Sequence, residues 1–231
     1  MSATAFSIPL WADLLAVAIG SLQGALFASQ FRERRVDLLG VAIIGTATGL
    51  GGGILRDVLI GEVPRAMQSN WYLLTAVLAA LLGMLLQRIF TRLAGFITVL
   101  DALTIGLFGA IGSTKALALG LPEIPAVFVG VISAVGGSVL RDLLMNLTIA
   151  MMHVGSLYAV AAGAGTAVLV ALVTFGVPTL AAAIAGTATT FSIRLLAVRF
   201  GWSLPEQRAL SRLPRWRTRT PKTPETHEDT A

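Results

Sequence analysis

Arginine and aspartate stand side by side twice in this chain, as Arg56-Asp57 and Arg141-Asp142, inside stretches whose only other charge is Asp37 at the edge of the first. Each pair follows a run of small residues, Gly51-Gly52-Gly53 in the first case and Gly136-Gly137-Ser138 in the second. An ionised side chain within an apolar span costs a few kcal/mol and needs water or a partner. Neighbours on a helix point roughly 100° apart, so each guanidinium is expected to pair with a carboxylate on another helix. Asp13 and Asp101, near the starts of their own apolar runs, are placed for it. Such pairs either hold a helix bundle together or gate a polar pathway, and the two roles are compatible.

The glycine runs carry a second chemistry. Glycine in a helix interior costs about 1 kcal/mol relative to alanine, so three in succession are expected to kink or unwind the helix. Freed carbonyls survive at membrane depth only beside protein or water, where they can replace the hydration shell of a cation. Ser138 adds a hydroxyl to the second break. The alternative use of small residues is close packing of two helices.

Lys115 is the only lysine before position 222. Its ammonium either snorkels to the membrane surface or lies at a pathway wall, repelling cations or holding an anion. Catalytic and cofactor chemistry finds no foothold. There is no cysteine, and the two histidines, His153 and His227, have no carboxylate at metal-ligand spacing. Ser138 with His153 lacks a nucleophile elbow. Gly-Leu-Gly-Gly-Gly at 49–53 sits in an apolar span and not between a strand and a helix. No enzyme, no cofactor and no resident metal is expected.

The elements that position these residues are membrane helices. Of 231 residues, 55% are hydrophobic and 13% charged, with a mean hydropathy of +0.82; soluble domains carry about 25% charge. A bilayer needs roughly 20 apolar residues per crossing. Seven stretches qualify: 8–30, 36–60, 71–89, 96–119, 124–147, 154–174 and 178–200. Arginines follow the first, third and seventh of them (Arg32, Arg34, Arg35; Arg88, Arg92; the tail), which puts the N-terminus outside and the C-terminus in the cytoplasm. Eight of the 17 basic residues lie from Arg194 onward. The polar tail, 206–231, is expected to be disordered and to face anionic lipid headgroups, with nucleic acid the less favoured partner.

The nine residues from Gly51 recur from Gly136 with six identities. Gly45 and Gly130 keep the register, and Asp13/Asp101 and Gly24/Gly112 extend it weakly to the first and fourth spans, where Phe27 aligns with Lys115. The expected organisation is a three-helix unit over 8–90, a second over 96–174, and a seventh helix over 178–200. Three crossings per unit require the second to be inverted relative to the first. Inverted repeats with broken helices in corresponding places point to a pathway at the midplane. The fold class is thus an all-α membrane protein of seven transmembrane helices.

The duplicated Gly-Gly-Gly-Ile-Leu-Arg-Asp and Gly-Gly-Ser-Val-Leu-Arg-Asp stretches, with Gly61-Glu62-Val63-Pro64 after the first, resemble those of the prokaryotic trimeric intracellular cation (TRIC) channels. Bacterial glycine transporters belong to the same superfamily. The resemblance covers roughly residues 8–200. It implies a homotrimer in a bacterial inner membrane, with a pore for potassium and sodium in each protomer around kinked second and fifth spans. Animal members carry Lys-Glu-Val in the fourth span, where this chain has Lys115-Ala116-Leu117; the missing glutamate argues against animal-type regulation by calcium or voltage. A carrier for glycine or a similar zwitterion is the competing expectation, and a non-transporting scaffold a third.

Overall fold

The computed structural model describes residues 9–30, 36–90, 94–149 and 157–202. These form α1 (Leu10–Gln30), α2 (Leu38–Leu59), a single turn α3 (Arg65–Gln68), α4 (Asn70–Phe90), α5 (Ala94–Ala118), α6 (Glu123–Leu144), α7 (Tyr158–Thr174) and α8 (Thr179–Phe200). The seven long helices coincide with the seven apolar stretches to within a few residues. Six are long and apolar enough to cross a bilayer, and α7 is a shorter apolar helix of 17 residues. The turn α3 falls in a connection where no helix was expected. The basic tail, the arginines at 32, 34 and 35, Arg92 and His153 lie outside the described residues.

Local chemistry sets the helix ends. Asp37 caps α2 by accepting a 2.7 Å hydrogen bond from the Gly40 amide. Prolines 64, 122 and 178 occupy the N-cap positions of α3, α6 and α8, where a missing N–H costs nothing. The ends of α2 and α6 match bond for bond. The amides of Ile60 and Met145 return to Arg56 and Arg141, those of Gly61 and Asn146 to Val58 and Leu143, and those of Glu62 and Leu147 to Asp57 and Asp142. Gly61 (φ +75°) and Asn146 (φ +49°) both take the left-handed conformation this turn requires.

Packing falls into two groups of three mutually touching helices, α1/α2/α4 and α5/α6/α7, with α8 against α5 and α7. The groups meet chiefly along α2 and α6 and also through α1 and α5. Small apolar side chains such as Ala16, Ala25, Ala76 and Ala80 fill the first group, and Ala126, Ala161 and Ala162 the second. Large hydrophobic side chains, among them Leu39, Ile43, Leu78, Leu85, Phe128 and Ile184, are exposed. This inside-out arrangement suits a lipid surround, in which close helix approach stabilises the bundle in place of the hydrophobic effect.

Candidate functional site

The glycine runs meet at the crossing of α2 and α6. A Cβ on Gly52 would strike the carbonyl oxygen of Ser133, and a Cβ on Gly137 would strike that of Thr48. One on Gly51 would lie 3.3 Å from the Gly137 Cα, and one on Gly136 would lie 3.2 Å from the Gly52 Cα. Thr48 and Ser133 are themselves 85 positions apart, so every contact has its partner in the other copy. Only bare backbones fit this closely.

The expected unwinding is absent: both α2 and α6 are continuous α-helices through their glycines, and the missing side chains serve the crossing. Their carbonyls remain in the helix. The Ser138 hydroxyl donates to the Val135 carbonyl of its own helix at 2.7 Å.

A cluster of charges lies beyond each side of the crossing. At the end of the bundle that carries α3, Arg56 Nε donates to Asp57 Oδ1 at 2.7 Å, and Lys115 Nζ donates to the same oxygen at 2.8 Å. Asp57 Oδ2 accepts from the Arg65 amide at 2.9 Å. Asp13 Oδ2 accepts from the Tyr72 hydroxyl at 2.7 Å and from Arg65 Nη1 at 3.4 Å, while its other oxygen lies 4.0 Å from Arg56 Nη1. Arg56 is 1% exposed and Asp57 fully buried, yet Arg56 Nη1 makes no hydrogen bond among the described residues. Beside it is a cavity of about 10 Å³ bordered by Asp13, Gly53, Arg56, Asp57, Arg65 and Tyr72, room for one water-sized particle.

At the opposite end, Arg141 Nε and Nη2 donate to Asp142 Oδ1 at 2.9 and 2.8 Å. The Arg141 guanidinium also lies over the Phe27 ring, 3.8 Å from its centroid. Asp101 accepts from the Tyr158 hydroxyl at 3.1 Å, from Gln23 at 3.3 Å and from Arg194 at 3.4 Å. Arg194 stacks over Tyr158 at 4.7 Å.

The sequence reading located these charges and expected each guanidinium on another helix's carboxylate; Arg56 does pair with Asp13, at 4.0 Å, while its hydrogen bond goes to Asp57. Arg56 and Arg141 fold back onto the adjacent aspartates, because a long, flexible arginine stem spans the angle between neighbouring positions. Asp13 keeps only a long contact to Arg56, and Asp101 is held by Arg194. Lys115 does not snorkel; it is buried in the first copy's Arg-Asp pair. Five participants were missed: Tyr72, Tyr158, Arg65, Arg194 and Gln23. The two tyrosines had a signal. They are the only tyrosines in the chain, and they stand 86 positions apart, almost on the repeat.

A glycine transporter family model matches residues 10–88 and 98–174, which hold both clusters' aspartates and both glycine runs. The chain belongs to the glycine transporter family. Among its members, the UPF0126 inner membrane protein YadS of Escherichia coli K12 is 34% identical over 198 residues, covering 84% of this chain and 94% of that protein. A UPF0126 membrane protein of Deinococcus radiodurans is 36% identical over 157 residues, covering 67% of this chain and 72% of the relative. Among solved structures, the TRIC trimeric intracellular cation channel orthologue of Rhodobacter sphaeroides superposes with a TM-score of 0.76 at 32% identity, covering 84% of this chain and 98% of that one. The fold is thus that of an all-helical membrane protein shared with the TRIC channels, and the relative YadS is named an inner membrane protein.

Proposed function

We propose that this protein is a homotrimeric channel for monovalent cations, potassium and sodium, with a pathway inside each protomer along the α2–α6 crossing. The observation that carries the reading is the pair of buried ion clusters, one on each side of a glycine crossing whose contacts are two-fold related. Buried charge at membrane depth is costly unless paired or wet, and it marks polar routes; here it brackets the close crossing of the two helix groups. The likeness to the Rhodobacter sphaeroides channel supports the pathway and the trimer.

In this reading the chain crosses the membrane seven times. The groups α1/α2/α4 and α5/α6/α7 are inverted copies, and α8 stands outside the symmetry. The α3 end is outside, the C-terminus cytoplasmic, and the basic tail faces anionic lipid. The backbones of Gly51, Gly52, Gly53, Gly136 and Gly137, with Ser138, line the route. The present arrangement is closed, since bare backbones in contact leave no lumen; conduction requires α2 and α6 to part at the glycines. Arg56, Asp57, Arg141, Asp142, Lys115, Asp13 and Asp101 set the potential at its two ends.

The competing reading is a carrier for glycine or a similar zwitterion, favoured by the family description and by guanidinium and carboxylate groups side by side at each end. Reconstitution into planar bilayers separates them. Unitary cation currents support the channel; saturable glycine uptake into vesicles without such currents supports the carrier.

A further inference from the structure

The two aspartate–tyrosine pairs, Asp13–Tyr72 and Asp101–Tyr158, occupy matching positions in the two copies, and each is bonded by an arginine that has no counterpart in the repeat. Arg65 comes from the turn α3, and the position 85 residues later is alanine. Arg194 comes from α8, outside the repeat. Their settings differ. The Arg194 side chain is 12% exposed, within a 22-residue helix and stacked on Tyr158. The Arg65 side chain is 31% exposed on a four-residue turn. Its guanidinium reaches an Asp13 carboxylate only 3% exposed, so Arg65 approaches from the accessible side and covers the group behind it.

We propose that Arg65 is a tethered plug: its guanidinium occupies a monovalent-cation site built from the Asp13 carboxylate and the Tyr72 hydroxyl oxygen. A carboxylate and a phenolic oxygen on adjoining helices are hard oxygen donors of the kind alkali cations take. The adjoining cavity of about 10 Å³ admits one particle the size of a water molecule, and a dehydrated potassium or sodium ion is of that order. Charge selects the valence. Asp13 and Asp57 face Arg56, Arg65 and Lys115, an excess of one positive charge. A monovalent ion replacing the guanidinium keeps that balance, whereas a divalent ion adds a further charge beside two buried cations.

The unbonded Arg56 Nη1 gives the plug its release. It lies 4.0 Å from Asp13 Oδ1 and is buried without a hydrogen-bond acceptor among the described residues, so a small shift of Asp13 away from Arg65 satisfies it. Asp13 thereby has two guanidiniums to choose between, and departure of Arg65 does not strand its charge. Two anchors hold the turn: the Arg65 amide on Asp57 at 2.9 Å and Ala66, buried in one apolar cluster with Ala16, Leu50 and Tyr72. The side chain can swing out while the turn stays docked.

This inference builds on the channel reading but is tested apart from it. Single-channel recordings compare the wild type with Arg65→Gln and Arg65→Lys, with guanidinium chloride added at millimolar concentration on the α3 side. Arg65→Gln is expected to raise open probability several-fold and to make the current sensitive to added guanidinium. Arg65→Lys should stay close to wild type, and Asp13→Asn added to Arg65→Gln should abolish the guanidinium block. Equal currents in all variants, or equal guanidinium block of wild type and Arg65→Gln, overturn the plug. A binding measurement covers a protein that passes no current. Exchanging choline chloride for potassium chloride at constant ionic strength should raise the melting temperature of detergent-solubilised Arg65→Gln more than that of the wild type. The Asp13→Asn double variant should lose that gain. With no current in any variant, that shift sustains the site while the channel reading falls, and its absence removes the site.

Discussion

Lys115 Nζ and Arg56 Nε bond the same carboxylate oxygen of Asp57, at 2.8 and 2.7 Å. The lysine belongs to α5 and the arginine to α2, so the contact ties the two helix groups together through a fully buried anion. The position aligned with Lys115 in the first copy is Phe27, and its ring covers the guanidinium of Arg141. One location thus carries an ammonium at the α3 end and an aromatic face at the other. The ends of α2 and α6 are alike in backbone hydrogen bonding and unlike in the charge around them.

Removing the ammonium tests that asymmetry. Lys115→Met should destabilise the protein by about 1.5–3 kcal/mol, the worth of one hydrogen bond to a charged group, because Asp57 keeps Arg56 and the Arg65 amide, and it should raise cation flux by taking one positive charge from the α3 end. Adding Asp57→Asn should cost further stability, because it takes the carboxylate from the buried Arg56. Melting in detergent and flux in vesicles read the two effects separately.

The glycines of α2 should not behave alike. A Cβ at Gly52 strikes backbone, whereas one at Gly53 meets only Arg56 Nη2, at 3.9 Å. Gly52→Ala and Gly137→Ala should cost about 1–3 kcal/mol through overpacking. Gly53→Ala should be neutral or stabilising by up to about 1 kcal/mol through helix propensity. Equal destabilisation at all three sites, measured by thermal melting, would restore the view that the glycines serve a helix break.

The tyrosine hydroxyls should have matching effects. Tyr72→Phe and Tyr158→Phe each remove a hydrogen bond to a buried carboxylate, worth about 1.5–3 kcal/mol for a charged acceptor. Tyr72→Phe should also weaken the hold on Asp13 and with it the potassium-dependent rise in melting temperature of Arg65→Gln. Tyr158→Phe should leave that rise intact.

Arg141→Ala offers the corresponding test at the opposite end. It removes the Nε and Nη2 bonds to Asp142 and empties the space over Phe27, so a loss of about 3–5 kcal/mol is expected. Raised open probability in protein that still forms a stable oligomer assigns Arg141 to gating. Unchanged open probability assigns it to holding the bundle.

Much of this molecule was legible in its sequence, because lipid imposes a rule that composition expresses directly. Apolar runs of bilayer length with charges between them give the helices, and the nine-residue recurrence from Gly51 to Gly136 gives their duplication. The same rule singled out Arg56, Asp57, Lys115, Arg141, Asp142, Asp13 and Asp101, since a charge inside a span must have a partner. Which partner was decided only by tertiary structure. Arg56 can reach its own neighbour or Asp13, and the choice depends on the position of the Arg65 turn and of Lys115, set by contacts between helices far apart in sequence. The glycines show the same division. Their number and spacing announced an unusual place in α2 and α6, but a run of glycines is equally suited to unwinding and to close approach. The carbonyls of Thr48 and Ser133, each against the other helix, decided for approach, because a backbone within reach of a second backbone leaves no space for a Cβ.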